Sequence, residues 1–479
     1  MTGSSIAPAT EAFGGPATVS PSIEYWRRVT PPEHGFAAGP RYRTPWGWEA
    51  AFLPNPIDYL LASFRTFGDV VCTRAAMFRS VFLVHPDHIK HVLQDNARNY
   101  VKGIVIAKLK VLIGEGLFTS EGDFWRRQRR LSQPAFHRDH LAGFATAMTE
   151  TTEAMLDRWA PRARTGSPFD VAAEMSALTL GIVGRALFSR VLDADADEVG
   201  RALAAALEIV NERAIRFLVS PVWWPSATNR RLRRAIAVLD RVVYDIIESR
   251  RRTGAQRGDL LSMLLLARDE ETGAGMTDRQ LRDEVMTFLL AGHETTAVAL
   301  SWTWYLLDRH PAVAERLRAE VAAALGMRTP TVDDLPRLRY ARMVVEESMR
   351  LYPPVWGFMR QAIDEDQVGG FRIPKRAVVT ISPYVTHRHP AFWEDPERFD
   401  PDRFAPERPR TRPRYAYLPF SGGPRLCIGN EFALTEAQLV AAMTVQRYRV
   451  HLVPGTRVEP ESRLTLRPRG GLPMTVSPA

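Results

Sequence analysis

The stretch Phe420-Ser421-Gly422-Gly423-Pro424-Arg425-Leu426-Cys427-Ile428-Gly429 decides how the rest of the chain is read. One thiol sits in a Gly/Pro-rich loop, with Phe420 seven residues before it, Arg425 two before it and Gly429 two after. A helix-type sequence, Asn430 to Val445, follows at once. A loop that enters a helix leaves backbone N–H groups unpaired. Those donors and the positive helix end favour thiolate over thiol. A thiolate held this way suits an iron ligand, and on haem iron it favours O–O cleavage. Glycines at 422, 423 and 429 would let a flat macrocycle approach the backbone. The plain alternative for a lone Cys beside a turn is a buried free thiol.

The whole string resembles the haem-binding signature of the cytochrome P450 superfamily, the haem-thiolate monooxygenases. The resemblance implies haem b as cofactor, Cys427 as its iron ligand, and Phe420 and Gly429 in contact with the macrocycle. It also implies O2 as co-substrate and oxygen insertion into a hydrophobic small molecule.

The chain has 479 residues, of which 45% are hydrophobic, enough for an ample core. Cys72 and Cys427 are its two cysteines, so no disulfide framework or zinc-knuckle spacing is available. Met1 to Ser22 has no basic n-region followed by an apolar run, and the apolar run Val285 to Gly292 is too short to span a bilayer. A cytoplasmic protein without a membrane span is expected, and the resemblance then implies a bacterial-type member. The net charge of +9 comes from arginines spread along helical segments, without the aromatic-interleaved basic motif of nucleic-acid binding. Residues 1–22 read as a flexible tail and 23–479 as a single domain, with 23–56 lying irregularly on its surface. Strands are expected near 70–73 and 80–85. Helices are expected over 86–96, 121–136, 145–160, 170–188, 195–218, 230–253, 277–309, 311–326 and 340–351. Many helices with a few short strands argue a mainly α fold with small β-sheets. The resemblance places haem between the long central helix and the cysteine loop.

That central helix contains Ala291-Gly292-His293-Glu294-Thr295-Thr296. Burying Glu and Thr mid-helix is costly unless they are hydrogen-bonded or used. Ala291 and Thr295 share a face, and Gly292 weakens the ladder enough to permit a local bulge. A carboxylate and a hydroxyl beside O2 could relay protons. The zinc-protease pattern HExxH fails because position 297 is Ala. In the family the stretch resembles the acid–alcohol pair, with Glu294 and Thr295 in its places.

Three further constellations occur in the family's order. Trp125 and Arg129 are i,i+4 neighbours on a helix, and Arg recognises carboxylates well. The resemblance assigns both to a haem propionate, with Arg360 and Arg425 as further cations. Arg126, Arg127 and Arg130 would then face an acidic electron donor. Glu347 and Arg350 form an i,i+3 pair in an apolar segment, and a buried pair needs additional partners. In the family an Arg from a PxRF segment joins them. Arg403 is assigned here, with Arg398 as runner-up. Segments 100–118, 209–224, 287–295 and 355–358 are apolar and aromatic and form the expected pocket, with Phe288, Val355, Trp356 and Phe358 as its walls and Phe217, Trp223 and Trp224 contributing. They suit a fatty acid, terpene, steroid or polyketide-like molecule. The chain ends soon after the Asn430 helix, and an external ferredoxin or flavodoxin with its reductase is the expected electron source. A haem-thiolate peroxygenase or isomerase, and a haem sensor without turnover, are the rival readings.

Overall fold

The computed structural model describes residues 29–30, 35–76, 78–188, 196–216, 219–254, 258–408 and 411–479. The expected tail and Phe217 lie outside them. The architecture is mainly α with small β-sheets. The central helix, Asp278–Arg309, starts at a reciprocal cap: Gln280 N donates to Thr277 Oγ1 at 3.2 Å and Thr277 N to Gln280 Oε1 at 2.9 Å. Most of its residues are buried, polar ones such as Asp283, Glu284 and His293 included, as in a helix enclosed by others. Helices Val171–Phe188, Arg339–Leu351 and Asn430–Arg447 pack against it. Trp159, Trp302 and Trp304 are among the largest fully buried side chains of the core.

The largest sheet pairs Val70–Ala75 with Phe78–Leu83, then Val378–Ile381 in parallel, then Phe358–Ala362. Two expectations fail in instructive ways. Gly39–Tyr42 joins this sheet, and Pro45–Phe52 and Pro56–Phe67 are helices, so 23–56 is not irregular throughout. Thr44 and Asn55 cap those helices, and each is followed by a Pro at the first helical position, where a missing N–H costs nothing. The helix expected over 145–160 runs from Arg138 to Thr165.

The Arg339–Leu351 helix carries the Glu347–Arg350 pair, both fully buried. Arg350 Nε donates to Glu347 Oε2 at 2.7 Å and Nη2 to Oε1 at 2.8 Å. The remaining donors reach the carbonyls of His387, Pro396 and Arg398 at 3.1, 2.6 and 2.9 Å. Arg403 Nε lies 3.4 Å from Glu347 Oε1, whereas Arg398 offers only its carbonyl to the pair. His387 extends the network. Its Nδ1 is 3.2 Å from Arg350 O, and its Nε2 accepts from Leu418 N at 2.9 Å. Burial pushes this imidazole down to about 3, so it is the neutral form that makes both contacts.

Upstream on the central helix two adjacent carboxylates clasp the segment 114–120. Asp283 Oδ2 accepts from Glu115 N at 2.8 Å. Glu284, fully buried, accepts from Leu117 N at 3.0 Å and from Gln128 Nε2 at 2.9 Å. A Cβ on Gly114 or Gly116 would collide with Asp283 or Thr287, so only glycine permits this approach.

Removing Arg350 strands the Glu347 carboxylate in the core. Arg350→Leu should therefore cost about 3–5 kcal/mol in denaturant unfolding, and a cost under about 1 kcal/mol would rank the pair with exposed ones. Burial pushes Glu284 up to about 7 from 4.5, with Asp283 adding to the rise and Lys102 opposing it. The folded chain then binds more protons than the unfolded chain between those values. Stability should fall as pH rises from about 4.5 to about 7. Glu284→Gln should flatten that slope, measured as denaturation midpoints across the range. An unchanged slope would acquit Glu284.

Candidate active site

Cys427 stands where the loop meets the Asn430–Arg447 helix, its N–H donating to Phe420 O at 3.1 Å. A Cβ on Gly423 (φ +64°) would lie 1.8 Å from Leu93 O, which fixes the loop's path. The thiol is deep in the protein mass, yet the residue carries open surface, so it faces internal space. Ala291 likewise is exposed although the ten residues before it on the central helix are buried. Burial pushes the thiol up, opposed by the Gly429 N–H and by Arg129. The helix-end donor expected from the sequence is present, but in the protein alone desolvation outweighs it.

Around this space the structure brings together four cations. Arg129 Nη1 donates to Leu426 O at 2.9 Å, beside the cysteine. The Arg425 guanidinium stacks 3.7 Å from the Trp125 ring centroid, donates to Ser120 O at 3.0 Å and pairs with Glu121. Arg360 is buried and, among the described residues, its hydrogen-bond acceptor is the carbonyl of its neighbour Met359, at 3.0 Å. The fourth is Lys102, which sequence reasoning missed. Its Nζ donates to the carbonyls of Leu117 and Phe118. Burial, then the charges of Arg425 and Arg360, hold Lys102 well below its usual range. Arg360 is pushed down to about 10 by burial and then Arg425, and Arg425 to about 10 by burial. Buried cations in excess of carboxylates are unfavourable unless an anion joins them. The donor set thus fits a group carrying two carboxylates beside a metal held by Cys427, as haem does. A lone Lys in the run Tyr100-Val101-Lys102-Gly103-Ile104 was the available signal.

The central helix runs unbroken through Gly292, without the expected bulge. Thr295 Oγ1 donates to Ala291 O at 2.6 Å, so those two residues share the face towards the internal space. Glu294 turns elsewhere and accepts from Thr465 Oγ1 at 2.8 Å. Burial raises its pKa, while Thr465 and then Arg467 oppose the rise. The two members of the expected pair do not touch. His293 is a packing residue, with Nε2 2.8 Å from Ser176 Oγ.

Several expected pocket residues lie elsewhere. Trp356 is buried in the cluster of Phe52, Tyr59 and Val71, and its Nε1 donates to Arg463 O at 2.7 Å. Phe288 packs edge-to-face on Phe136 at 5.1 Å within the core. Trp223 and Trp224 point to solvent, 71% and 54% exposed. In each case an aromatic type signalled burial or contact without saying with what. Val355 and Phe358 are half-buried, and Phe358 lies 5.0 Å from the Arg360 guanidinium. The arginines expected to face an electron donor each have partners within the chain. Arg127 donates to the carbonyls of Ala274 and Gly275 and Arg130 pairs with Asp269 and Glu271, while Arg126 pairs with Asp123.

Among the described residues one helix, Val171–Phe188, is long and apolar enough to cross a membrane, and 56% of it is buried inside the protein.

Comparison with known proteins fits this site. The family model for cytochrome P450 matches residues 40–474. Cyclooctatin synthase of Streptomyces melanosporofaciens is 40% identical over 453 residues, covering 93% of this chain and 95% of its own. Pentalenene oxygenase of Streptomyces avermitilis is 33% identical over 439 residues, covering 91% and 96%. The crystal structure of the cytochrome P450DA heme domain superposes with a TM-score of 0.81 at 30% identity, over 88% of this chain and 93% of that one. The family match runs through the cysteine loop, the central helix and the Glu347–Arg350 network alike, and the chain belongs to the cytochrome P450 family as a haem-binding monooxygenase.

Proposed function

We propose that residues 23–479 form one catalytic domain that hydroxylates or epoxidises a cyclic terpene-type molecule in the cytoplasm, using haem b, O2 and electrons from an external ferredoxin or flavodoxin with its reductase. The observation that carries the haem site is the under-partnered set Lys102, Arg360 and Arg425 beside Cys427. In this reading Cys427 ligates the iron, and Lys102, Trp125, Arg129, Arg360 and Arg425 hold the propionates. Phe420 and Gly429 lie beside the macrocycle. Bound haem supplies O2 cleavage and insertion of one oxygen atom into the substrate. The chain's residues do the rest. Ala291 and Gly292 leave room beside the central helix, and Thr295 holds a hydroxyl proton towards that room. Glu294 resupplies it, its carboxyl raised above the ordinary carboxylate range by burial. Glu347, Arg350 and Arg403 keep the loop in place without touching the reaction. Val355 and Phe358 offer the substrate an apolar wall. The terpene class is favoured by relatives named for cyclooctatin, cyclooctat-9-en-7-ol and pentalenene.

The dithionite-reduced protein with carbon monoxide should show the strongly red-shifted Soret band of thiolate ligation, and Cys427→His should abolish it. A wild-type band at the position of His-ligated haem would sink the assignment. Cyclic terpene alcohols should shift the ferric Soret band at lower concentration than fatty acids do. The opposite order would replace the substrate class. Thr295→Ala should raise the share of O2 recovered as hydrogen peroxide about tenfold, and an unchanged share would remove Thr295 from proton delivery.

A further inference from the structure

The residue before the Gly122–Ser132 helix is Glu121, and its carboxylate does not serve that helix. A side-chain oxygen at such a position ordinarily accepts an N–H of the first turn, but Glu121 makes no such bond. Its Oε1 accepts instead from Lys102 N at 2.8 Å, and its Oε2 pairs with the Arg425 guanidinium. Glu121 thereby ties together three segments that meet near Cys427. Lys102 follows the Tyr100–Val101 strand, Arg425 belongs to the cysteine loop, and the helix after Glu121 carries Trp125, stacked on Arg425, and Arg129, bonded to Leu426 O.

The charge balance gives this placement a consequence. Lys102, Arg129, Arg360 and Arg425 are the cations around the cysteine. Among the described residues, Glu121 is the one carboxylate in an ion pair with any of them. Its charge favours the charged forms of Lys102, Arg360 and Arg425 alike, whereas Glu284 acts on Lys102 from the far side and Arg126 opposes the charge on Arg425. A group bearing two carboxylates therefore meets an Arg425 that is already engaged, and it shares the cations with a third carboxylate. A negative charge near a metal centre favours the more positive, oxidised state, and the charge and hydrogen bonding around haem are levers on its potential.

We propose that Glu121 is a positioning residue of the haem site, which holds Arg425 and by its charge lowers the reduction potential of the bound haem. The resting iron then takes an electron less readily from a donor of given potential. Any side-chain oxygen that accepts the Lys102 N–H would tie the segments together, but only a charged one depresses the potential. The proposal rests on the reading of Cys427 and the four cations as the haem site.

The test is a redox titration, with soluble mediators, of the haem-loaded protein without substrate. Glu121→Gln keeps an oxygen for Lys102 N and removes the charge. At a fixed solution potential it should raise the ferrous-to-ferric ratio several-fold, the order expected for one charge at a partly exposed site. Glu121→Asn, a second neutral variant, should raise it likewise, while Glu121→Asp should stay close to wild type. Asp123→Asn removes a charge two residues on, where the side chain is 93% exposed and pairs with Arg126, and should leave the ratio unchanged. The carbon monoxide spectrum checks that each variant is folded and loaded. A wild-type ratio in the neutral Glu121 variants, or an equal rise in Asp123→Asn, would overturn the role of Glu121. A wild-type carbon monoxide band at the position of His-ligated haem would instead overturn the site reading beneath it.

Discussion

The Arg350 guanidinium is the fastening on which the cysteine loop depends. A fully buried arginine keeps its charge, so every N–H must find an acceptor or the site is strongly destabilising. Here the Glu347 carboxylate and three backbone carbonyls surround it. Those carbonyls belong to the stretch 387–398, which forms turns but no helix or strand. One side chain thus ties three points of that stretch together. His387 then passes the constraint on to Leu418, and Ser421 N bonds Leu418 O in turn. Six residues after Ser421 comes Cys427. The position of the thiol is inherited from an ion pair that it never meets.

The central helix shows how one element serves unrelated tasks. Successive side chains are about 100° apart, so neighbours in sequence face different partners. Asp283 and Glu284 clasp the 114–120 segment, His293 packs on Ser176, Glu294 turns to Thr465, and Thr295 turns to the internal space. Segregation by angle lets a carboxyl and a hydroxyl sit one residue apart without bonding each other.

What the sequence made legible were features carried by local spacing. The cysteine loop, the long central helix and the i,i+3 pair of Glu347 and Arg350 each fit within a dozen residues or one helix, and the family match bears out the fold they imply. Where two candidates were equally spaced, as with Arg398 and Arg403, only the fold decides which reaches Glu347. Lys102, His387 and the Glu284 clasp were not legible, because their partners lie far off in the chain and no local pattern marks them. Trp356 and Phe288 failed for a different reason. Aromatic character predicts burial, and both residues are buried, but against protein.

The arginines make the same point in electrostatic form. Composition gives a net charge of +9, which reads as one basic surface. The structure divides it by counting acceptors around each guanidinium. Arg350 is buried with its donors met by Glu347 and three carbonyls, and such a group is structural. Arg126 and Arg130 sit at the surface beside their own acids, where water screens them and ion pairs contribute little. Arg360 is buried with a single carbonyl, and Arg425 shares one carboxylate with the peptide backbone around it. Burial pushes Arg360 and Arg425 down to about 10, with Arg425 adding to the fall at Arg360. A buried cation short of acceptors is unstable alone and becomes stable when a carboxylate-bearing ligand arrives. The deficit of acceptors, not the excess of positive charge, is therefore what sets Arg360 and Arg425 apart from Arg126, Arg130 and Arg350.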